Sequence, residues 1–357
     1  MPACDSQATA EAIAKIVDGQ DLTAAEAEAV MEEIMSGRAT EAQIAGLLVA
    51  LRMKGEKPAE ISGFARAMRR HALIVPVRRQ DTIDTCGTGG DVLDTFNVST
   101  AAAIVAAAAG AAVAKHGNRS VTSRCGSADL LEYLGVRLDL TPEQVGQCID
   151  TIGIGFMFAP ALHPAMRHAI GPRRQLRIRT VFNLLGPLTN PAGARRQVLG
   201  VYSARWVRPV AEALRELGSE HALVVHGLDG LDEISTLGPT LIAELKGGRI
   251  VEDQVAPEDL GVARACPEDI CGADVAESAE MLHAVLRGEA GPRLDITVVN
   301  AGAALYVAGL ASDIRSGAVL AREIIAGGAA ERKLRELIEY TQRLAERPAG
   351  ETAGRKD

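Results

Sequence analysis

The sequence lacks any apolar run that could cross a membrane, and it lacks the basic start and apolar core of a targeting peptide. Its most apolar window, residues 98–114, falls short of the roughly 20 residues that a membrane-spanning helix needs. This window is also rich in alanine and is interrupted by Ser99, Thr100 and Gly110. We therefore expect no membrane partner, no cleaved leader and a cytoplasmic location.

Cysteine and positive charge are also in short supply. Six cysteines are scattered through the 357 residues, at positions 4, 86, 125, 148, 266 and 271. In a cytoplasm we expect reduced thiols, and no second close pair accompanies Cys266 and Cys271 to give a metal-site spacing. With 38 basic and 46 acidic residues the net charge is −8, so we expect no nucleic-acid partner. An anionic small substrate would need a locally cationic pocket or a metal.

The composition, 47% hydrophobic and 24% charged, is that of a globular protein of about two domains. Residues 1–78 predict a small helical domain. Apolar residues recur there at helical spacing, Thr23 and Glu26 have the spacing of a capping box, and Pro58 suits the first turn of a helix. Four short helices with short loops are typical of a helical bundle.

Beyond residue 79, short apolar runs alternate with helical stretches, which favours an α/β domain with a mainly parallel central sheet. The predicted strands are 83–86, 111–115, 155–158, 198–202 and 222–226. The predicted helices are 99–109, 128–134, 142–152, 207–217 and 276–286, and residues 295–347 are again helical. Residues 173–195 have no strand character and are expected to pack on the helical domain. The α/β domain is then 79–172 with 196–349, followed by a disordered tail at 350–357.

Residues 87–91 (GTGGD) follow the first predicted strand. A turn of glycines lets backbone N–H groups approach an anion closely, although it also serves as a simple strand-to-helix turn. The dinucleotide fingerprint would need a third glycine where Val92 stands, and the Gly-Lys-Ser/Thr of nucleoside triphosphate loops is absent. The turn is therefore a candidate phosphate site of neither common kind.

Two further segments carry polar groups after predicted strands or before helices. Residues 97–100 (NVST) precede the alanine-rich helix, where Ser or Thr is usually a cap but also offers hydroxyls and a positive helix end to an anion. Residues 115–123 (KHGNRSVTS) follow the second predicted strand, at the sheet edge where open α/β sheets bind ligands. A solvated loop is the alternative for each segment alone. Their coincidence with the glycine turn favours a phosphorylated ligand.

Two charged groups complete the candidate set. Asp232 and Glu233 follow the last predicted strand; adjacent carboxylates are common on surfaces, but facing a polyphosphate they could hold Mg²⁺. Arg side chains bind carboxylates in a bidentate manner, although most of a basic run is expected to form a helix surface. The arginines of this run are Arg167, Arg173, Arg174, Arg177 and Arg179.

Taken together, these segments resemble the anthranilate phosphoribosyltransferase family. The resemblance runs from the helical start to about residue 310. Its most specific segments are 87–91, 97–100, 115–119, 126–129, 163–166 and 179–191. It departs from the family at Arg177, where a glycine would be expected before Ile178. It also departs at Cys86 and Cys125, which stand where aliphatic or small residues are more usual and which we interpret as packing substitutions.

The resemblance implies a fold of the nucleoside phosphorylase/phosphoribosyltransferase class II type, with a small helical domain beside a larger α/β domain. It implies Mg²⁺-dependent transfer of a phosphoribosyl group from 5-phosphoribosyl 1-pyrophosphate to the anthranilate amine, a step of tryptophan biosynthesis. The products are N-(5-phosphoribosyl)anthranilate and pyrophosphate. It also implies a homodimer formed through the helical domain. Because no glutamine amidotransferase segment is visible, an anthranilate synthase partner would be a separate chain.

The resemblance also assigns roles to residues. The catalytic residues are Lys115, Asp232 and Glu233, and the Mg²⁺ ligands are Ser99, Asp232 and Glu233. Anthranilate would contact Gly87, Asn118 and Arg173. The phosphoribosyl pyrophosphate site would comprise Gly87, Gly90, Asp91, Thr95, Asn97, Val98, Ser99, Thr100, Lys115, His116, Gly117, Asn118, Arg119, Ser120, Val121, Thr122, Ser123 and Ser127.

Two alternatives stay open at this stage. A pyrimidine nucleoside phosphorylase would share the two-domain fold but use free phosphate and a nucleoside. A non-catalytic nucleic-acid-binding relative would be expected to have a basic surface and a degraded acidic pair. The net charge of −8 and the presence of both Asp232 and Glu233 are the features that oppose it.

Overall fold

The structure is a computed structural model that describes residues 7–90, 93, 95–120 and 124–346. The predicted tail at 350–357 lies outside the described residues. Within the described part of the chain, no helix combines the length and the apolar character that a membrane crossing requires.

Four helices form the N-terminal part of the fold. They are α1 (Gln7–Val17), α2 (Ala24–Met35), α3 (Glu41–Lys54) and α4 (Pro58–His71). The predicted capping box is present, because the Thr23 side chain accepts from the backbone N–H of Glu26 while the Glu26 side chain accepts from the backbone N–H of Thr23. Pro58 opens α4 as expected. The apolar faces of these helices form one buried cluster.

A seven-stranded sheet forms the centre of the remaining chain. Its strands are β1 (Thr82–Asp84), β2 (Ala112–Gly117), β3 (Ile154–Phe158), β4 (Arg196–Gly200), β5 (His221–Gly227), β6 (Thr240–Lys246) and β7 (Arg249–Val255). Their order is β3-β2-β1-β4-β5-β6-β7. The five strands β1 to β5 pair in parallel with their neighbours in the sheet. Strand β6 pairs antiparallel with β5 and with the edge strand β7. The predicted fold class, a helical domain beside an α/β domain with a mainly parallel sheet, is confirmed.

Helices cover both faces of the sheet. They are α5 (Val98–Ala108), α6 (Ser127–Tyr133), α7 (Pro142–Ile152), α8 (Ala159–Leu162), α9 (Arg167–Leu176), α10 (Phe182–Leu185), α11 (Val207–Glu216), α12 (Pro267–Ile270), α13 (Val275–Leu286), α14 (Pro292–Ala308), α15 (Ile314–Ala326) and α16 (Ala329–Ala345). Single 3₁₀ turns occupy Pro164–Met166, Gly186–Leu188, Ala204–Trp206 and Pro257–Leu260. The alanines of α5 are buried against α14 and α16, since small side chains allow close helix packing.

The segment between β3 and β4 contains no strand. Helix α9 packs on α3, and α10 packs on α4. Val181, Phe182 and Leu185 belong to the same apolar cluster as Ile44 and Phe64 of the N-terminal helices. The segment therefore contacts the N-terminal helices.

Arg177 ends α9 in a left-handed conformation, with φ 51°. A non-glycine residue in this region is opposed by its Cβ at a cost of about 1–2 kcal/mol. The family resemblance predicts glycine at this position, and the left-handed backbone conformation explains why glycine would fit. The conformation terminates the helix that carries Arg173.

We predict that Arg177→Gly raises the thermal unfolding midpoint, because glycine adopts the left-handed region without that cost. The matched variant Arg174→Gly lies inside α9 and should lower the midpoint, since glycine in a helix interior costs about 1 kcal/mol relative to a good helix former. Differential scanning calorimetry measures both shifts. Equal midpoints for the two variants would contradict the assignment of strain to Arg177.

Candidate active site

The glycine turn leaves β1 and is tied to two neighbouring loops. Gly89 and Gly90 have φ of 63° and 78°, which glycine adopts without penalty. The backbone N–H of Thr88 donates to the carbonyl oxygen of Gly200 at 2.8 Å, and that of Gly89 donates to Asp232 Oδ2 at 2.6 Å. The turn that predicts phosphate binding is therefore in direct contact with one carboxylate of the predicted Mg²⁺ pair.

Two glycines make this contact possible. A Cβ on Gly87 would lie 2.9 Å from Asp232 Oδ2, and a Cβ on Gly200 would overlap the backbone carbonyl of Asp232. The loop that carries Asp232 and Glu233 is held from the other side by Asn300 of α14. The Asn300 side chain accepts from the backbone N–H of Ile234 and donates to its carbonyl oxygen, both at 2.9 Å.

Lys115 lies beside the start of α5. The parallel pairing of Ile83 with Val113 brings Thr85 next to Lys115. The Lys115 ammonium donates to Thr85 Oγ1 and to Ser99 Oγ, each at 3.3 Å, and the side chain is buried. Among the described residues Lys115 forms no salt bridge, so its charge is available to an anion at the N-terminus of α5.

The loop that follows Lys115 is anchored on α6. The carbonyl oxygen of Asn118 accepts from Ser127 Oγ at 3.4 Å. The Asp129 carboxylate accepts from the backbone N–H of Ser120 at 3.0 Å and from the Arg119 guanidinium at 3.0 Å. The guanidinium of Arg119 also donates to Glu132 and lies over the Phe158 ring. Arg119 therefore orders the loop, and its charge is already balanced by carboxylates.

The residues at the start of α5 offer polar groups to a ligand. Asn97 donates through Nδ2 to the carbonyl oxygen of Cys125 at 3.1 Å, while its Oδ1 is buried without a hydrogen-bond partner. Thr100 Oγ1 is also buried without a partner. Val98 is buried, and Thr95 pairs with Cys271 in an isolated β-bridge. Buried polar atoms normally have partners, so these two atoms indicate a place for a polar ligand.

Two arginines of the basic run lie over aromatic rings, and one of them, Arg179, also contacts the glycine turn. Arg179 donates through Nη2 to the carbonyl oxygen of Gly90 at 2.6 Å and stacks on the Tyr202 ring at 4.7 Å. Arg173 lies half-buried over the Phe182 ring at 5.1 Å, and burial lowers its pKa. Arg173 makes no salt bridge with any described residue. A desolvated guanidinium of this kind suits a carboxylate ligand.

A separate polar cluster lies on the other face of β1 and β2. Asp84 Oδ1 accepts from the backbone N–H of His116 at 3.2 Å, and Asp84 Oδ2 accepts from Asn190 Nδ2 at 2.7 Å. Burial raises the pKa of Asp84 to about 6 and lowers the pKa of His116 to about 3. The ring centroids of His116 and His163 are 5.1 Å apart, and burial lowers the pKa of His163 to about 4.

The structure thus connects residues that the sequence predicted separately. Gly87 and Gly89 meet Asp232, Lys115 meets Ser99, and Asn118 meets Ser127. Four predicted binding residues, Asp91, Val121, Thr122 and Ser123, lie outside the described residues. Ser99, Asp232 and Glu233 offer only oxygen atoms, which is the donor chemistry that Mg²⁺ prefers.

Sequence reasoning missed several residues of this site. It considered Arg179 mainly as helix surface, and it gave no role to Gly200, Tyr202 or Asn300. Each of these acts through a tertiary contact between distant segments, which has no periodic signature in the sequence. The glycine that ends the short apolar run before Tyr202 was the one available signal for a close backbone approach.

Comparison with known proteins begins with two sequence families. Residues 10–72 match the helical bundle domain of a glycosyl transferase family, and residues 79–331 match the a/b domain of a glycosyl transferase family. These matches cover most of the chain. They define a glycosyl transferase built from a helical bundle and an α/β domain.

Individual proteins narrow this class. The chain is 54% identical to the anthranilate phosphoribosyltransferase of Rubrobacter xylanophilus, over 95% of this chain and 99% of that protein. It is also 54% identical to the enzyme of Thioalkalivibrio sulfidiphilus, over 93% and 98%. The crystal structure of the Thermus thermophilus enzyme is 47% identical, with a TM-score of 0.88 over 93% of this chain and 99% of that one.

A more distant structure includes ligands. The anthranilate phosphoribosyltransferase of Saccharomyces cerevisiae in complex with PRPP and Mg is 28% identical, with a TM-score of 0.85 over 94% of this chain and 98% of that one. The chain therefore belongs to the anthranilate phosphoribosyltransferase family.

Burial of His163 predicts how the stability of the fold depends on pH below 7. In the unfolded chain His163 has an ordinary pKa near 6.5, whereas burial lowers it to about 4 in the fold. Between these values the unfolded state binds more protons, so the free energy of unfolding falls as the pH falls from about 6.5 to 4. We predict that His163→Gln reduces the slope of the free energy of unfolding against pH, by the equivalent of about one bound proton, because glutamine does not titrate. Denaturant titrations at several pH values measure the slope, and identical slopes for the two proteins would contradict the prediction.

Proposed function

We infer that this chain is an Mg²⁺-dependent anthranilate phosphoribosyltransferase. It transfers the phosphoribosyl group of 5-phosphoribosyl 1-pyrophosphate to the anthranilate amine and releases pyrophosphate, in the biosynthesis of tryptophan. The observation that carries this inference is the hydrogen bond from the Gly89 N–H to Asp232, which joins the glycine turn to the acidic pair. One edge of the sheet thereby brings the glycine turn beside carboxylates that could hold a metal.

The main chemical difficulty is the departure of a highly charged leaving group. Mg²⁺ held by Ser99, Asp232 and Glu233 would supply positive charge to the pyrophosphate. Lys115 adds a fixed ammonium beside Ser99, at the positive end of α5. Charges that are placed before the reaction stabilise the developing negative charge without a cost of reorganisation. We propose that Lys115 is catalytic in this sense and stabilises the leaving pyrophosphate together with the metal held by Asp232 and Glu233.

The acceptor requires positioning more than activation. An aromatic amine is largely neutral at pH 7, so the nitrogen can attack without a strong general base. We propose that Arg173 binds the anthranilate carboxylate and that Gly87 and Asn118 line the same subsite. Holding the amine in line with the ribose carbon can lower the barrier by up to about 7–11 kcal/mol.

The donor site is proposed from the same edge of the sheet. Its remaining described members are Gly90, Thr95, Asn97, Val98, Thr100, His116, Gly117, Arg119, Ser120 and Ser127. Of these, His116 has its side chain in the buried cluster on the other face of β1 and β2. The unpartnered Asn97 Oδ1 and Thr100 Oγ1 support polar contacts at this edge. The salt bridges of Arg119 favour an indirect role, in which Arg119 holds the loop and backbone groups meet the ligand.

We also propose a homodimer formed through a helical domain of residues 1–78. The large side chains of Val17, at the end of α1, and Met53, in α3, are 70% and 82% exposed. Helices α1 and α3 pack against each other, so both side chains belong to the outer surface of one helix pair. An anthranilate synthase partner, as a separate chain, is a further proposal that rests on the predicted pathway alone.

The metal assignment predicts that Asp232→Asn/Glu233→Gln loses turnover by about 100-fold or more while the protein stays folded. The assay follows the loss of anthranilate fluorescence in the presence of phosphoribosyl pyrophosphate and Mg²⁺, with each component omitted in turn. Glu252→Gln/Asp253→Asn changes an adjacent acidic pair on the exposed strand β7 and should retain activity. Near-normal Mg²⁺-dependent turnover in the first variant would refute the assignment. Phosphorolysis of thymidine by the wild-type protein would instead favour a nucleoside phosphorylase.

The acceptor assignment predicts that Arg173→Ala raises the KM for anthranilate by about 10- to 100-fold, because a hydrogen-bonded ion pair is lost. The KM for phosphoribosyl pyrophosphate should change much less. The neighbouring exposed Arg174 provides the matched variant Arg174→Ala, which should leave both constants unchanged. Equal effects of Arg173→Ala on both substrates would remove Arg173 from the acceptor subsite.

A further inference from the structure

The carboxyl ends of β1 and β2 place three potential metal ligands on one face of the sheet. Asp84 and Cys86 are two residues apart, which directs both side chains to the same face of an extended chain. His116 joins them from β2. One carboxylate oxygen of Asp84, Cys86 Sγ and a ring nitrogen of His116 all lie within 4.8 Å of one another. Lys115 and Thr85 point to the opposite face, where they contact Ser99.

His116 is the clearest indication that something binds here. Its side chain is only 3% exposed, and neither ring nitrogen makes a well-formed hydrogen bond, although the backbone of Gly186 interacts with the ring. A buried polar group without a partner costs about 1–3 kcal/mol. Burial also lowers the pKa of His116 to about 3, so the ring is neutral and has a lone pair available for a metal.

Asp84 is held in place by groups that leave room for a metal. Asn190 Nδ2 donates to Asp84 Oδ2 at 2.7 Å and to the carbonyl oxygen of Ala114 at 2.9 Å. Oδ2 of Asp84 accepts from Asn190, and Oδ1 accepts from the backbone N–H of His116. Each oxygen has a second lone pair that a metal could use. Outer partners of this kind fix the orientation of a metal-binding carboxylate.

Cys86 supplies a soft ligand. The residue is partly exposed, and its thiol lies 3.5 Å from the carbonyl oxygen of Gly87. Burial within the fold and the nearby acidic groups raise the pKa of the thiol. A bound divalent cation reverses this effect, because metal coordination deprotonates a thiol outright.

We propose that Asp84, Cys86 and His116 form a second cation site, which takes Zn²⁺ or a similar borderline divalent metal with water as the fourth ligand. Three protein ligands of oxygen, sulfur and nitrogen type suit Zn²⁺, whereas Mg²⁺ prefers oxygen alone. The Asp84 carboxylate and the Cys86 thiolate balance the charge of the ion. Binding exchanges the thiol proton of Cys86 for the metal and releases that proton to solvent.

Occupancy of this site inhibits the transferase, a consequence that rests on the proposed function. Zn–S and Zn–N bonds of about 2.3 and 2.0–2.1 Å place ligand atoms roughly 3.5 Å apart. Binding would therefore draw together any pair of these ligand atoms that lies nearer the 4.8 Å limit. Cys86 immediately precedes Gly87 of the glycine turn, and His116 immediately follows Lys115. Contraction therefore draws the turn and the basic loop toward each other and away from the geometry that the donor requires.

Binding is tested with Co²⁺ as a spectroscopic probe in a background where Cys4, Cys266 and Cys271 are replaced with serine. This background removes the exposed thiols Cys266 and Cys271, and also Cys4, which lies outside the described residues. We expect a thiolate-to-cobalt charge-transfer band that saturates at about one equivalent and is displaced by Zn²⁺. Adding Cys86→Ala should abolish the band, and adding His116→Gln should weaken Zn²⁺ binding by at least about 100-fold. A band that survives Cys86→Ala overturns the site.

The inhibitory role is tested separately, by Zn²⁺ titration of the assay at saturating Mg²⁺. Cys86→Ala should keep the basal rate and lose the Zn²⁺ inhibition, with circular dichroism confirming the fold. Equal inhibition of Cys86→Ala and the wild-type protein would place the effect at the Asp232/Glu233 pair and overturn this role. If the chain shows no transferase activity at all, the Co²⁺ band still decides whether the metal site exists.

Discussion

The parallel pairing of β1 with β2 on one side and with β4 on the other is the constraint on which the candidate site depends. It brings the carboxyl ends of three strands to one edge of the sheet, with the glycine turn, the Lys115 loop and Gly200 side by side. Asp232 then reaches this edge from the loop after β5 and accepts from the Gly89 N–H. Without this pairing, the segments that we propose to bind phosphate and metal would lie apart in the fold.

Alternation along β1 and β2 separates two kinds of chemistry. On one face Thr85 and Lys115 meet Ser99 at the positive end of α5, where an anion is favoured. On the other face Asp84 contacts Asn190, and His116 lies beside His163. Burial raises the pKa of Asp84 and lowers the pKa of His116. One strand pair thus supplies a cationic site suited to phosphate on one side and a desolvated cluster on the other.

Much of the fold could be predicted from the sequence because strong periodic patterns and helix caps reflect local physics. All five predicted strands are present, and the predicted helix at 142–152 has the observed bounds of α7. The hairpin of β6 and β7 was missed. Strand β7 is an edge strand with polar, exposed residues, so it lacks the apolar run that marked the other strands. The Gly247-Gly248 pair at its turn was a usable signal.

The candidate site was predictable where function follows from strand ends, as at Gly87 and Lys115. It was not predictable where function depends on packing between distant segments. The contact of Arg179 with Gly90, the close approach of Gly200 to Asp232 and the burial of the His116 ring are consequences of tertiary contact. Arg119 is a further example. It belongs to a segment rich in hydrogen-bond donors, but tertiary contact pairs its guanidinium with Asp129 and Glu132.

The most direct test of this account is a crystal structure of the chain with phosphoribosyl pyrophosphate and Mg²⁺. The account predicts pyrophosphate oxygens on the glycine turn and beside the Lys115 ammonium, with Mg²⁺ between them and the Asp232/Glu233 carboxylates. A donor bound elsewhere, or a metal that leaves both carboxylates unengaged, would contradict the claim that the sheet edge assembles one site from these loops.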